Sequence, residues 1–453
     1  MIPHRIHIVG IGGIGLSAIA RVLLARGVHV SGSDLTASPI TDELARLGTQ
    51  IFIGHRAENV GDAEMVLVTS AAPEDNPEII EARRRHVRIV KRAEFFRDLT
   101  YGKQTIAIAG THGKTTTTAM IATILTRAGK DPEAIVGGWV PEFGGNARAG
   151  QGNYFVVEAD EYDRAFLGLS PDVAVVTSIE MDHPDVFRDV DEVARAFHEF
   201  MQQVSPNGVV VGCGDAARVV AELERLNRRV VRYGLSATND WRAHAIQPNA
   251  QGGSDFVVSH RGTTLGDWRL AIPGQHNVLN ALAAIAAASE VGVDLDIART
   301  TLAHFRGVAR RFEIKGEFRG VTMVDDYAHH PTEIRVTLAT ARARFPQRTL
   351  WAVFQPHTFS RTAALLDEFA NAFGDADHVI ITEVYAAREH ESYGVSGAQI
   401  VARMKHRDAR FIATLEETRR FLAERVQAGE VLITLGAGDV NRVGEMIARE
   451  RGA

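Results

Sequence analysis

A strand, a glycine loop and a helix follow one another without a break from Thr105 to Leu125, TIAIAGTHGKTTTTAMIATIL. The apolar run Ile106–Ala109 suits a buried strand, Gly110 and Gly113 flank a tight turn, and Thr115 to Leu125 follow a helical pattern. Such a unit points backbone N–H groups and the positive end of a helix dipole at one spot, which suits a phosphate. Lys114 then reaches the terminal phosphates as a cation, and Thr115 offers a hydroxyl to Mg²⁺. The loop is shorter than the usual phosphate loop, whose first glycine would fall at Ile108. The expectation is a nucleoside triphosphate held by Gly110, Thr111, His112, Gly113, Lys114, Thr115 and Thr116.

Around this unit the chain divides into α/β blocks. At 453 residues it is too long for one ordinary domain. We read residues 1–101, 102–307 and 308–453 as three domains, with Tyr101-Gly102 as the first linker. Strands Val321–Val324, Leu350–Phe354, His378–Thr382 and Val431–Leu435 alternate with helical segments, which predicts a parallel sheet flanked by helices in the third. A glycine-rich stretch, Gly137 to Gly152, reads as a separator, and residues 230–272 as a small appended sheet. A formal net charge of −6 without an extended basic face argues against nucleic acid. Cys213 is the only cysteine, so no intrachain disulfide forms. No signal peptide or membrane span is expected, and the reading is a cytoplasmic protein, a monomer or weak homodimer.

Five constellations carry chemistry. Gly10, Gly12, Gly13 and Gly15 lie in a glycine cluster between a strand and a helix, and Asp34 ends the next strand. That suits a dinucleotide or a nucleotide-sugar diphosphate, or else close helix–strand packing. Read alone it would suggest an NAD-linked oxidoreductase, which leaves the GKT loop unexplained. The strand through Phe155-Val156-Val157 runs into Glu158, Asp160, Glu161 and Asp163, and another leads to Glu180, Asp182 and His183. At the carboxyl edge of one parallel sheet, Glu158 and His183 are candidates for metal ions, directly or through water. Asn277 and Asn280 share a helix face and suit an adenine edge or a cap. Arg310 and Arg311 sit at the second boundary, where an arginine can reach a γ-phosphate when domains close, or lie solvated in a linker. Finally, DDYAHHP around Tyr327, His329 and His330, FQPHTFSR around His357 and Arg361, and GAGD from Gly436 should line one edge of the third domain. The His329-His330 pair lacks a cysteine or third histidine at zinc spacing.

Taken in order, GIGGIG, GTHGKTTT, EADE, MDH, HNVLNAL, RRFE, DDYAHHPTE, FQPH..SR and GAGD span nearly the whole chain, which thereby resembles the Mur ligases of peptidoglycan synthesis. The resemblance implies an ATP-dependent amide ligase with a Rossmann-like UDP-sugar domain, a central P-loop ATPase-like domain and a Rossmann-like C-terminal domain. Joining L-alanine to UDP-N-acetylmuramate through an acyl phosphate is the reaction it favours, with addition of a murein tripeptide as the alternative. ATP and Mg²⁺ are the implied cofactors. By the same resemblance Lys114, Glu158, His183 and Arg311 are catalytic, and Thr115, Glu158 and His183 hold Mg²⁺. Gly110 to Thr116, Asn277, Asn280 and Arg311 take ATP, while Gly10, Gly12, Gly13, Gly15, Asp34, Ser70, Tyr327, His329 and Arg361 take the other substrates. Tyr162 replaces a serine frequent in the alanine-adding enzymes, and Thr358 stands where some relatives carry arginine.

Overall fold

Three sheets organise the chain in a computed structural model that describes residues 2–452, with side chains described to residue 447. The first sheet contains β1 (Arg5–Val9), β2 (His29–Asp34), β3 (Gln50–Ile53), β4 (Met65–Val68) and β5 (Arg88–Lys91), all parallel in the order β3-β2-β1-β4-β5. The order reverses between β1 and β4, the crevice where open α/β sheets bind ligands. Gly10 at the end of β1 has φ 81°, and a Cβ there would lie 2.7 Å from Thr69, just past β4.

The second sheet is built around β6 (Gln104–Ala109), flanked by β9 (Tyr154–Glu158) and β10 (Val173–Val176). Beyond β9 lie β7 (Glu133–Val140) and β8 (Gly145–Arg148); beyond β10 lie β11 (Val209–Cys213), β12 (Arg229–Gly234), β13 (Trp241–Pro248), β14 (Ser254–His260) and β15 (Thr263–Leu270). Two expectations change here. The glycine-rich stretch is no mere separator, because its first part is the end of β7 and its middle is β8. Nor is the 230–272 region a separate small sheet: Tyr233 of β12 pairs with Trp241 of β13, so these strands extend the central sheet. Trp241, Phe256 and Trp268 are buried in the same core as Ile106 and the helix Gln275–Glu290, which fixes that continuity.

The helix Lys114–Arg127 is buried along Thr115 to Leu125. Its threonines are tolerated there because Thr118 and Thr123 return their hydroxyl protons to the carbonyls of Lys114 and Ala119, each at 2.8 Å. The third sheet contains β16 (Glu313–Phe318), β17 (Val321–Asp326), β18 (Leu350–Phe354), β19 (His378–Ile381), β20 (Ala409–Phe411) and β21 (Val431–Leu435), in the order β16-β17-β21-β18-β19-β20. All its pairs are parallel except the edge pair β16–β17.

The cores are divided unevenly. One apolar cluster runs from Ile6 and Leu23 in the first domain through Phe95 to Phe155 and Phe197 in the second. The third domain has two clusters, whose described residues all lie at Phe312 or beyond. No helix among the described residues is long and apolar enough to cross a membrane.

Candidate active site

The loop after β1 is held from beneath. Backbone N–H groups of Gly10 and Ile11 donate to the Ser33 carbonyl at 2.8 and 3.0 Å, and the Gly12 N–H donates to Asp34 Oδ2 at 2.9 Å. Asp34 therefore fixes the glycine loop with one oxygen. A Cβ on Gly15 would lie 2.8 Å from Arg92 Nη1, so the loop and the helix Arg92–Leu99 approach closely. Ser70 donates to Asp163, which ties the first domain to the acidic segment of the second.

At the tip of β6, Gly110 and Gly113 have φ of 141° and 81°. Side chains are excluded as well: a Cβ on Gly113 would lie 2.5 Å from Asn280 Oδ1. Asn280 in turn donates to Asn277 Oδ1 at 3.2 Å, so the two asparagines share the face that their spacing predicted, beside the phosphate loop. Lys114 Nζ donates to the Gly110 carbonyl at 2.6 Å and to Glu161 at 2.8 and 3.0 Å. Burial works against the charged amine, but Glu161 and Asp160 outweigh it and raise its pKa. Thr115 Oγ1 donates to Glu158 Oε1 at 2.9 Å, and the Gly137 N–H donates to Glu158 Oε2 at 2.6 Å. A Cβ on Gly137 would lie 2.6 Å from that carboxylate, which explains a glycine inside β7. The Thr115–Glu158 pair gathers hard oxygen atoms at the strand tip, the donor type that Mg²⁺ prefers.

His183 lies in the loop beyond β10 rather than on the strand, with φ 53°. Its N–H donates to Asp182 Oδ1 at 2.7 Å, and its ring lies 5.1 Å from that of Tyr162. Arg361 is largely enclosed: Nε donates to Asp182 Oδ1 at 2.6 Å and Nη1 to the His357 carbonyl. Arg361 and Asp182 side chains are 5% and 6% exposed, so this is a buried ion pair between the second and third domains. Burial alone would raise Asp182, but Arg361 and His183 hold it well below the carboxylate range.

From the third domain, Tyr327 lies under both Arg310 and Arg311, each 5.1 Å from its ring centre. Arg310 is taken by Asp325 at 3.0 Å, while Arg311 reaches Thr115 Oγ1 at 3.4 Å. His329 donates its backbone N–H to Glu333 at 3.0 Å, and burial lowers its ring pKa to about 4.

A histidine partner absent from sequence spacing appears in space. His112 of the phosphate loop lies against His330, with ring centres 4.7 Å apart and planes tilted by 51°, and a nitrogen of each gathers with a Glu180 oxygen within 4.8 Å of one another. Both His330 nitrogens already have partners, the Thr332 N–H at 3.2 Å and the Met181 carbonyl at 3.1 Å. Burial disfavours a charged His112, but Glu180 at 3.4 Å and Glu333 at 3.2 Å outweigh it and push its pKa up to about 9. The cluster is thus an imidazolium between two carboxylates from different domains.

Two cavities result. One of about 250 Å³ is lined by all three domains, among them Gly15, Lys114, Glu158, His183, Tyr327 and His329. The other, about 320 Å³, adjoins it past Thr115 and is lined by Asn277, Asn280 and Tyr233. Sequence reading missed Arg92, which donates to Asp160 at 2.7 Å, and the linking roles of Asp182 and Glu333. An arginine opening a helix just before the linker is the one local signal for Arg92.

Comparison with known proteins agrees with this layout. Residues 5–104 match the Mur ligase family catalytic domain, 108–288 the Mur ligase middle domain and 310–438 the Mur ligase glutamate ligase domain. The chain belongs to the Mur ligase family. Among Mur ligases, it is 47% identical over 454 residues to UDP-N-acetylmuramate–L-alanine ligase of Geobacter sp. (strain M21), covering 99% of this chain and 98% of that protein. The enzyme of the same description from Syntrophotalea carbinolica is 46% identical over 448 residues, covering 98% and 97%. Among solved Mur ligase structures, UDP-N-acetylmuramate-alanine ligase from Thermotoga maritima superposes with a TM-score of 0.85 at 32% identity over 99% of each chain. A murein peptide ligase from Psychrobacter arcticus gives 0.78 at 26% identity, again over 99% of each. The three-domain α/β architecture is that of the family.

Proposed function

We propose that this Mur ligase joins L-alanine to UDP-N-acetylmuramate, converting ATP to ADP and phosphate. One observation carries the reading: phosphate loop, acidic strand tips and the third-domain residues Arg311, Tyr327 and His329 line a single cavity where three domains meet. The near full-length likeness to L-alanine ligases supports the substrates.

A carboxylate does not acylate an amine directly, because oxide is too poor a leaving group. Its oxygen first attacks the γ-phosphorus, and the bond to ADP breaks. The deprotonated amine then attacks the acyl carbon, and phosphate leaves from the tetrahedral intermediate. Catalysis here is positioning and charge neutralisation. Lys114, charged and anchored at the loop, takes phosphate oxygens in exchange for Glu161. Arg311, beside Thr115, adds a second cation from the third domain. The glycine loop from Gly10 to Gly15, with Ser70 near it, receives the diphosphate of the sugar nucleotide. Asn277 and Asn280 line the cavity that would take the base. Thr115 and Glu158 fit one Mg²⁺, and His183 a second through water; when bound, these ions neutralise charge on the transferring phosphoryl group.

The test is phosphate release with Mg-ATP and UDP-N-acetylmuramate, comparing L-alanine, L-serine, glycine and the murein tripeptide, with the product weighed by mass spectrometry. The expected result is L-alanine-dependent release and a product heavier by one alanyl residue. Amine-independent release would contradict it. A second reading, tripeptide ligation, rests on Tyr162, which replaces the serine frequent in the alanine-adding enzymes and lies against His183. Release with the tripeptide alone would select it.

A further inference from the structure

The proposed reaction uses an amino acid, whose carboxylate has to be held while its amine attacks. The cations that line the cavity with His183 or lie beside it are engaged: Lys114 is bound to Glu161 and Arg92 to Asp160. Arg361 is buried against Asp182 and the His357 carbonyl. Arg310 is bound to Asp325 and the Gly436 carbonyl. Arg311 faces Thr115 and Glu333 on the nucleotide side. Burial keeps His329 and His357 neutral, with pKa values lowered to about 4 and about 3.

Arg388 differs from all of these. It lies beyond β19, and its guanidinium sits 4.2 Å from the ring centre of Tyr162, whose edge meets His183. Its Nη2 donates to Asp185 at 2.9 Å, and its side chain remains 40% exposed. A guanidinium has five N–H donors, so a fork remains for a carboxylate. Arg388 also lies close enough to His357 to help depress that imidazole. Its backbone is fixed by the next residue: Glu389 accepts from Thr358 Oγ1 at 2.6 Å and from the Ser360 N–H at 2.9 Å. Of the two departures from the usual motif, Tyr162 thus meets Arg388 itself and Thr358 meets its chain neighbour Glu389.

We propose that Arg388 is a specificity-determining residue that binds the carboxylate of the incoming amino acid, with Tyr162 as the surface on which its guanidinium lies. The assignment rests on the ligase reading above. Tyr162 stacks on the apolar face of the guanidinium and leaves its in-plane donors open. Asp185 holds one corner, so little side-chain freedom is lost on binding.

The test is steady-state kinetics of the full-length wild type, Arg388→Ala and Arg388→Lys at saturating Mg-ATP and UDP-N-acetylmuramate, with L-alanine or L-alaninamide as the amine. In the wild type, L-alanine should be preferred over its amide by about tenfold or more, the usual scale of one charge-assisted pair. Arg388→Ala should raise KM for L-alanine by about the same factor, leave the KM values of the other substrates within about twofold, and abolish the preference. Arg388→Lys should recover part of it. An unchanged KM for L-alanine, or an equal loss with both amines, would overturn the assignment, the latter by making Arg388 a domain latch through Asp185. A wild type that uses neither amine would instead remove the ligase reading.

Discussion

The two interfaces that the central domain makes are built from different material. Toward the first domain it shares one apolar core, with Ile8 and Phe95 in the same cluster as Phe155 and Phe197. Backbones touch there: a Cβ on Gly168 would lie 1.8 Å from the Ala93 carbonyl oxygen. Arg26 reinforces the contact by gripping Glu133, with Nε to Oε1 at 2.8 Å. Toward the third domain the described contacts are mainly polar and gather at the cavity. They include Arg361–Asp182, Thr332–Glu180 at 2.7 Å and His112–Glu333. Separating the first interface would expose a continuous core, whereas separating the second exposes groups that water can solvate. The first two domains are therefore expected to act as one body, with the third as the part that opens and closes.

The largest expected effect comes from breaking the polar interface. Arg361→Ala leaves Asp182 uncompensated in the closed state, a loss of about 3–5 kcal/mol for a buried pair, so kcat/KM should fall about a hundredfold or more. Because opening lets Asp182 meet water, the melting temperature should move by no more than about 2 °C. A large melting shift with preserved activity would make this interface structural. Gly168→Ala should do the reverse. The added methyl forces the first two domains apart at a cost of about 1–3 kcal/mol, lowering the denaturation midpoint while folded protein keeps most of its activity. An unchanged midpoint would mean that the first interface is also loose.

Smaller and more diagnostic is pH. Glu78 is buried in the first domain, where burial opposes its charge but His7, Ser33 and Asn59 hold its pKa down to about 2. Its folded value is depressed, so its stabilisation is complete above about pH 4.5 and fades as pH falls toward 2. His112 has the opposite sign. Its pKa is raised from 6.5 to about 9, so the Glu180–His112–Glu333 link is fully present below pH 6.5 and is lost as pH rises through 9. Acid titration of wild type and Glu78→Gln should therefore differ in unfolding. Alkaline titration of wild type and His112→Gln should differ in domain closure. Coincident curves in either pair would remove that contribution.

What could be read in the sequence was local. The phosphate loop announces itself because strand, glycines and helix are adjacent in the chain, and Glu158 because it ends a buried strand. The alternation of strands and helices gave the three blocks, and motif resemblance added what each of them binds. What stayed hidden depends on contacts between distant segments. Gly137 and Gly138 look like loop residues, yet they lie in β7, where Gly137 makes room for the Glu158 carboxylate. Arg361 reads as a free substrate cation until Asp182, 179 positions away, is found against it. The same holds for His112 and Glu333, which no spacing rule joins.

The most direct test of one fixed pair and one moving domain is single-molecule energy transfer in a Cys213→Ala background. Cysteines would replace the exposed residues Glu58, Gln202 and Ala413, labelled two at a time, one in each domain. On adding UDP-N-acetylmuramate and a non-hydrolysable ATP analogue with Mg²⁺, the 58–202 distance should stay constant, while the 202–413 distribution should collapse from broad to a single short distance. A change in 58–202, or a 202–413 distance that is single and unaltered by ligands, would contradict the account.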